Sequence, residues 1–288
     1  MVDGTHDTDL FERHLAEADL CRDQGHYADA ENMYRAALAA AETEFGKNSM
    51  QVAAACNGLG IAYKYMGRFG EAECLYERAL GICETVQGAD HPDIASIYHN
   101  LGGIAHARGD FAAAESPARR AVAIRDKALG PEHPDVAADK AALAPILDEL
   151  GRLDEAERLL REALTVFEGA FGPHHYEVAV NLHNLAALRY RVGDLRDAED
   201  LSRRALVIKE DVLGPDHPDL APTLCNLALV LSEGGDARSA VGLLRRSIGI
   251  LEGAVEPDHF TLLNCRQLHD VLTATLTKKR RTGKRGKK

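Results

Sequence analysis

Two interleaved glycine ladders constrain what this chain can fold into. Gly25, Gly67, Gly109, Gly151, Gly193 and Gly235 stand 42 residues apart, and so do Gly46, Gly88, Gly130, Gly172 and Gly214. Ala30, Ala72, Ala114, Ala156, Ala198 and Ala240 keep the same step. A fixed period of this size marks stacked supersecondary units, each packing only on its neighbours. The usual expectation of about two domains for 288 residues therefore does not apply.

One unit shows what is being repeated. Within residues 53–87, Cys56, Leu59, Gly60 and Tyr63 fall on one helical stripe. Gly67 follows, a residue that tolerates the left-handed conformation just past a helix end. A second stripe runs through Ala72, Leu75, Ala79, Ile82 and Val86. Alternation of period two is absent, so strands have no support. Each unit is read as helix A, a short turn and a longer helix B, with Ala72 and Ala79 small enough to let B approach A. Aromatics are only 5% of the chain and Trp is absent, which fits a core of Ala and Leu. The expected fold class is all-α. It has a short segment at 1–9, a repeat array over 10–276 with six helix pairs, and a basic tail at 277–288 expected to be disordered. Phe260 to Leu276 would cap the array, with Arg266, His269 and Asp270 on its polar side.

The pattern Leu59-Gly60-x-x-Tyr63, Ala72-x-x-x-Tyr76, Ala79 resembles the tetratricopeptide repeat, with Cys56 at the position where that repeat has Trp. The 42-residue period is longer than the usual 34. With Asp90-His91-Pro92-Asp93, Asp216-His217-Pro218-Asp219, His183-Asn184-Leu185-Ala186 and Cys225-Asn226-Leu227-Ala228, it resembles the kinesin light chain subclass. The resemblance covers about residues 10–255. It implies an alpha-alpha superhelix that binds proteins or peptides on a face lined by the A helices. No heptad segment for a motor heavy chain is present, so a motor-adaptor role is not carried over.

Features with the look of chemistry have plainer readings. His91, His133, His175, His217 and His259 recur in steps of 42. Neighbouring helices lie about 8–10 Å apart and zinc holds nitrogen at about 2.0–2.1 Å, so the ladder does not suggest a metal site. His-Pro-Asp opens a helix well, because Pro suits the first turn and Asp its positive end. No phosphate loop, dinucleotide fingerprint, nucleophile elbow or zinc-protease motif occurs, so no enzyme activity, cofactor or metal is expected. Cys21, Cys56, Cys74, Cys83, Cys225 and Cys265 form no C-x-x-C pair, and most of them read as small core residues. Met1 to Leu10 lacks the basic and apolar stretches of a signal peptide, and no apolar run would span a bilayer. The expected location is cytoplasmic, with no membrane partner.

The resemblance places candidate contacts on helix A. The groove residues expected are Asn57, Lys64, Tyr65, His99, Asn100, His106, His183, Asn184, Tyr190, Arg191 and Asn226. An Asn amide donates and accepts at once, which suits a peptide backbone, although Asn is a poor mid-helix residue. The other reading is that these Asn residues bond the neighbouring repeat. Ala141, Ala142 and Pro145 make the fourth repeat depart from the pattern, and Pro145 is expected to disturb its helix. The matched Lys, Asn and Arg set of a chaperone-tail clamp is absent. An alternative function rests on the tail. Lys278, Lys279, Arg280, Arg281, Lys284, Arg285, Lys287 and Lys288 carry eight of the 34 basic residues, leaving 26 against 45 acidic residues on a body of net charge −19. Such a tail suits weak, salt-dependent nucleic acid contact, without the aromatics that would stack on bases.

Overall fold

The computed structural model describes the backbone of residues 8–254 and 259–285, and the side chains of 10–254 and 259–278. Thirteen helices and no strand lie among the described residues. The A helices are α1 (Thr8–Asp23), α3 (Met50–Tyr65), α5 (Pro92–Ala107), α7 (Pro134–Glu149), α9 (Tyr176–Arg191) and α11 (Leu220–Glu233). The B helices are α2 (Tyr27–Glu44), α4 (Phe69–Gln87), α6 (Phe111–Leu129), α8 (Leu153–Phe171), α10 (Leu195–Leu213) and α12 (Ala237–Glu252). A thirteenth helix, α13 (Phe260–Arg285), follows. This is the expected all-α architecture of six pairs and a cap.

The glycine ladders set the pitch of the units. All eleven ladder glycines have φ between 75° and 92°, the left-handed region that favours glycine. At the end of α3, Gly67 N–H donates to the Lys64 carbonyl and Arg68 N–H to that of Tyr63, so the turn consumes the helix's last acceptors. The second ladder closes the B helices: Gly88, Gly130 and Gly214 are the caps of α4, α6 and α10. The histidine ladder opens the next A helix. Nδ1 of His91, His133, His175 and His217 accepts from the backbone N–H two residues on, at 3.2–3.3 Å. For α5, α7 and α9 the imidazole is itself the N-cap acceptor, beyond the Pro and Asp expected to open these helices, whereas α11 starts at Leu220 without a side-chain cap.

The chain forms two compact units, Met1–Arg152 and Leu153–Lys288. In the first, α1 to α7 pack in chain order, each on the next. Consecutive A helices also approach closely along their backbones (α1 on α3, α3 on α5, α5 on α7), whereas its B helices stand farther apart, α2 and α4 meeting through the long side chains of the Arg78–Glu42 ion pair. The A helices therefore line the inner side of this unit. In the second unit α8 to α13 pack in the same order, with α9 on α11 and α11 on α13. Ala30, Ala72 and Ala79 are wholly buried, as expected of spacers between close helices. Two glycines of α3 allow close approaches: a Cβ at Gly58 would run into the buried Tyr34 ring, and one at Gly60 would lie 2.5 Å from Cε1 of the buried Tyr76 ring.

α7 continues through Pro145 to Glu149, and α6 likewise carries Pro117. The capping helix buries Leu262, Cys265 and Leu272, while Arg266 pairs with Glu252 at 2.7 Å. Its backbone stays helical to Arg285, beyond the Leu276 end expected from the apolar pattern. Residues 277–282 contain no Pro or Gly, so nothing in the backbone stops the helix there. Of the tail side chains only Lys278 lies among the described residues. Lys279, Arg280, Arg281, Lys284, Arg285, Lys287 and Lys288 fall outside them.

Candidate binding face

In the first unit, the inner face is crossed by polar contacts between successive A helices. Asn100 Nδ2 donates to Asn57 Oδ1 at 3.0 Å. His99 Nδ1 lies 2.8 Å from Oδ1 of Asp139, which also accepts from Arg125 at 2.8 Å. Arg125 reaches on to Ser96 Oγ at 2.7 Å. The Asp139 side chain is only 1% exposed, so its charge is matched by the guanidinium rather than by water.

Lys64 is the exception on this face. Its side chain reaches from α3 to α5, where Nζ would stand 2.8 Å from a Cβ on Gly103. Only the missing side chain at Gly103 leaves room for it. Burial pushes its pKa down, and no described residue offers it an acid. His106, one turn beyond Gly103, packs edge-on against Phe111 with ring centroids 5.5 Å apart. Burial lowers its pKa; Lys64 adds to that and Glu149 opposes it. Tyr65 instead leaves the face: it stacks on Tyr27 at 5.0 Å and is 61% exposed.

In the second unit, Nδ1 of His183 lies 3.3 Å from Thr223 Oγ1 and Nε2 lies 3.5 Å from Asn226 Nδ2. A neutral ring with its proton on Nδ1 satisfies both. Burial, assisted by the nearby Lys209 charge, lowers the His183 pKa to about 4. Tyr190 Oη donates to Glu233 at 2.8 Å, and Tyr176 Oη to Asp219 at 2.7 Å. Burial, this hydrogen bond and the Glu233 charge raise the Tyr190 pKa to about 12. Asn184 is half-buried and makes no side-chain hydrogen bond to a described residue. Arg191 is exposed at the end of α9.

Comparison with known proteins follows the same repeats. The tetratricopeptide repeat model matches residues 13–85, 75–127, 93–168, 141–211 and 177–253, nearly the whole helical array. The chain belongs to the tetratricopeptide repeat family. None of the curated protein sequences matches it. Among solved structures it is similar to BtubC (BKLC) from P. vanneervenii, at 25% identity and TM-score 0.60 over 86% of this chain and 94% of that one. It is also similar to the nearly identical TPR-like repeats of a protein described as a kinesin light chain from Podosopora anserina, at 22% identity and TM-score 0.57 over 73% and 99%. A third is NprR in complex with its cognate peptide NprX, at 16% identity and TM-score 0.64 over 93% and 72%. The likeness in fold to kinesin light chain repeats, expected from the 42-residue period and its motifs, is thus found.

Within this tetratricopeptide array, the structure groups Asn57, Lys64, Asn100 and His106 on one face, and His183, Asn184, Asn226 and Tyr190 on another. Asn100 and Asn226 both reach the preceding repeat. Asp139 and Thr223 were missed. They occupy the same register position, an inner one that is Ala55 or Ile97 in earlier repeats. Asn181 stands there too, so the change from Ala55 and Ile97 to polar residues along one register position was the available signal.

Proposed function

We propose that the array is a non-catalytic scaffold that binds a protein or peptide along its A-helix face. Lys64 carries this reading. A half-buried ammonium without an acid partner among the described residues is unfavourable in the free protein. A ligand carboxylate would supply the missing acid, and a charge-assisted hydrogen bond of that kind is among the stronger ones. His106 and the Asn57–Asn100 pair flank the spot and offer further polar contacts. NprR, similar in fold, was solved with a peptide, which supports a peptide-sized occupant. No described helix is long and apolar enough to cross a membrane, and a cytoplasmic setting remains part of this proposal. The nucleic acid reading gains no observation from the described residues.

The test is selection of ligands from a random displayed-peptide library on the full chain, followed by hydrogen-exchange footprinting. Enrichment of acidic peptides that protect α3 and α5 supports the scaffold reading. Enrichment of no sequence class, or protection confined to B helices, contradicts it.

A further inference from the structure

The sixth repeat and its cap hold two thiols together. Cys265 of α13 is wholly buried among Leu227, Ala228 and Leu244, and half-buried Cys225 of α11 packs against the same cluster. The two side chains meet where α11 and α13 pack directly on one another. Ser247 Oγ of α12, itself wholly buried, lies 3.3 Å from Cys265 Sγ and 3.2 Å from the Ala221 carbonyl. A hydroxyl has one proton on a free rotor, so Ser247 can turn it from that carbonyl to the sulfur when the thiol ionises.

We infer that Cys225 and Cys265 are a peroxide-oxidisable dithiol that closes a disulfide between the last A helix and the capping helix. The surroundings set this pair apart from the other buried cysteines. Hydrogen bonds from Cys225 and Ser247 bring the Cys265 pKa down to about 7, whereas burial pushes Cys56 up to about 11 and Cys83 upward. The thiolate is the nucleophilic form and falls to Cys265, because interaction with Cys265 and burial push the Cys225 thiol upward, while Cys225 is the sulfur nearer solvent.

The chemistry balances with hydrogen peroxide as oxidant. A thiolate of the pair attacks one peroxide oxygen; an S–O bond forms, the O–O bond breaks, and hydroxide leaves. That hydroxide takes the proton of the second thiol and becomes water. The second sulfur then displaces hydroxide from the sulfenic sulfur; S–S forms and S–O breaks. The proton lost in the first ionisation converts this hydroxide to a second water. Two thiols are oxidised and one peroxide is reduced. The product staples α13 to α11 at the end of the array, where a one-dimensional stack lacks a neighbour on one side.

The experiment uses the full chain. It is titrated with hydrogen peroxide, quenched with iodoacetamide and digested with trypsin without reductant. Peptide 210–238 carries Cys225 and peptide 247–266 carries Cys265. The expected product is these two peptides linked, lighter by two hydrogens, formed before Cys56 or Cys83 is oxidised. The oxidised chain should melt several degrees higher, and dithiothreitol should reverse both changes. Cys225→Ser should give no link. Two separately alkylated peptides after peroxide, or a Cys265 sulfinic acid without the link, would overturn the inference. The wild-type map decides this even where a Cys265 variant fails to fold.

Discussion

The Asn100 side-chain amide donates to Asn57 Oδ1 at 3.0 Å, from α5 back to α3. The two stand 43 residues apart, and His183 and Asn226 are spaced alike. The same face that would meet a ligand therefore also ties one repeat to the next. Asn100→Ala should lower stability by about 1 kcal/mol, because it removes the bond and leaves Asn57 without its donor. Asn184→Ala removes no such bond and should leave stability unchanged within about 0.5 kcal/mol. Thermal melts of the two single variants check the contrast.

Gly60 should be far less replaceable than Gly81. A Cβ at Gly60 would be driven into the buried Tyr76 ring, whereas nothing lies within 4 Å of one at Gly81. Gly60→Ala should destabilise by about 1–3 kcal/mol through overpacking. Gly81→Ala, on the exposed side of α4, should stabilise by about 0.5–1 kcal/mol. Opposite shifts in melting temperature are the expected result.

His183 should make the second unit acid-sensitive. Its folded pKa, about 4, lies below the ordinary histidine value of 6.5. Between those values the unfolded chain binds a proton that the folded ring refuses, so stability falls as pH drops through the window and is fully present above it. Protonation would also remove the Nε2 acceptor used by Asn226. The loss from pH 7 to 4.5 should reach about 1–2 kcal/mol, discounted for the ring's partial exposure. His183→Asn should flatten that slope in denaturation midpoints measured across pH.

Legibility in the sequence followed periodicity. The 42-residue step of Gly67 and its equivalents revealed both the turns and the pairing of helices, because only glycine serves at that φ. The A-helix face was legible as a register, so Asn57, Lys64, Asn100 and His106 were found together. What each touches was not legible, since a contact between Asn57 and Asn100 depends on how two helices slide past one another. Asp139 was invisible for a related reason: its guanidinium partner, Arg125, comes from the preceding B helix. The histidine caps were credited to Pro and Asp because imidazole is an uncommon cap. The helical course of α13 to Arg285 was not legible because residues 278–288 hold no apolar side chain to mark a helix face, although nothing in the backbone of 277–282 stops one.

The A-helix face around Lys64 is proposed to bind a ligand through an acidic group. The most direct measurement is the affinity of a library-selected acidic peptide for the full chain and for Lys64→Ala, by titration calorimetry, with a melting curve for each. Loss of a charge-assisted hydrogen bond, about 1.5–3 kcal/mol, predicts at least about tenfold weaker binding by the variant. Its melting temperature should be unchanged or higher, because a poorly hydrated ammonium is gone. Equal affinity for the two proteins would contradict the account.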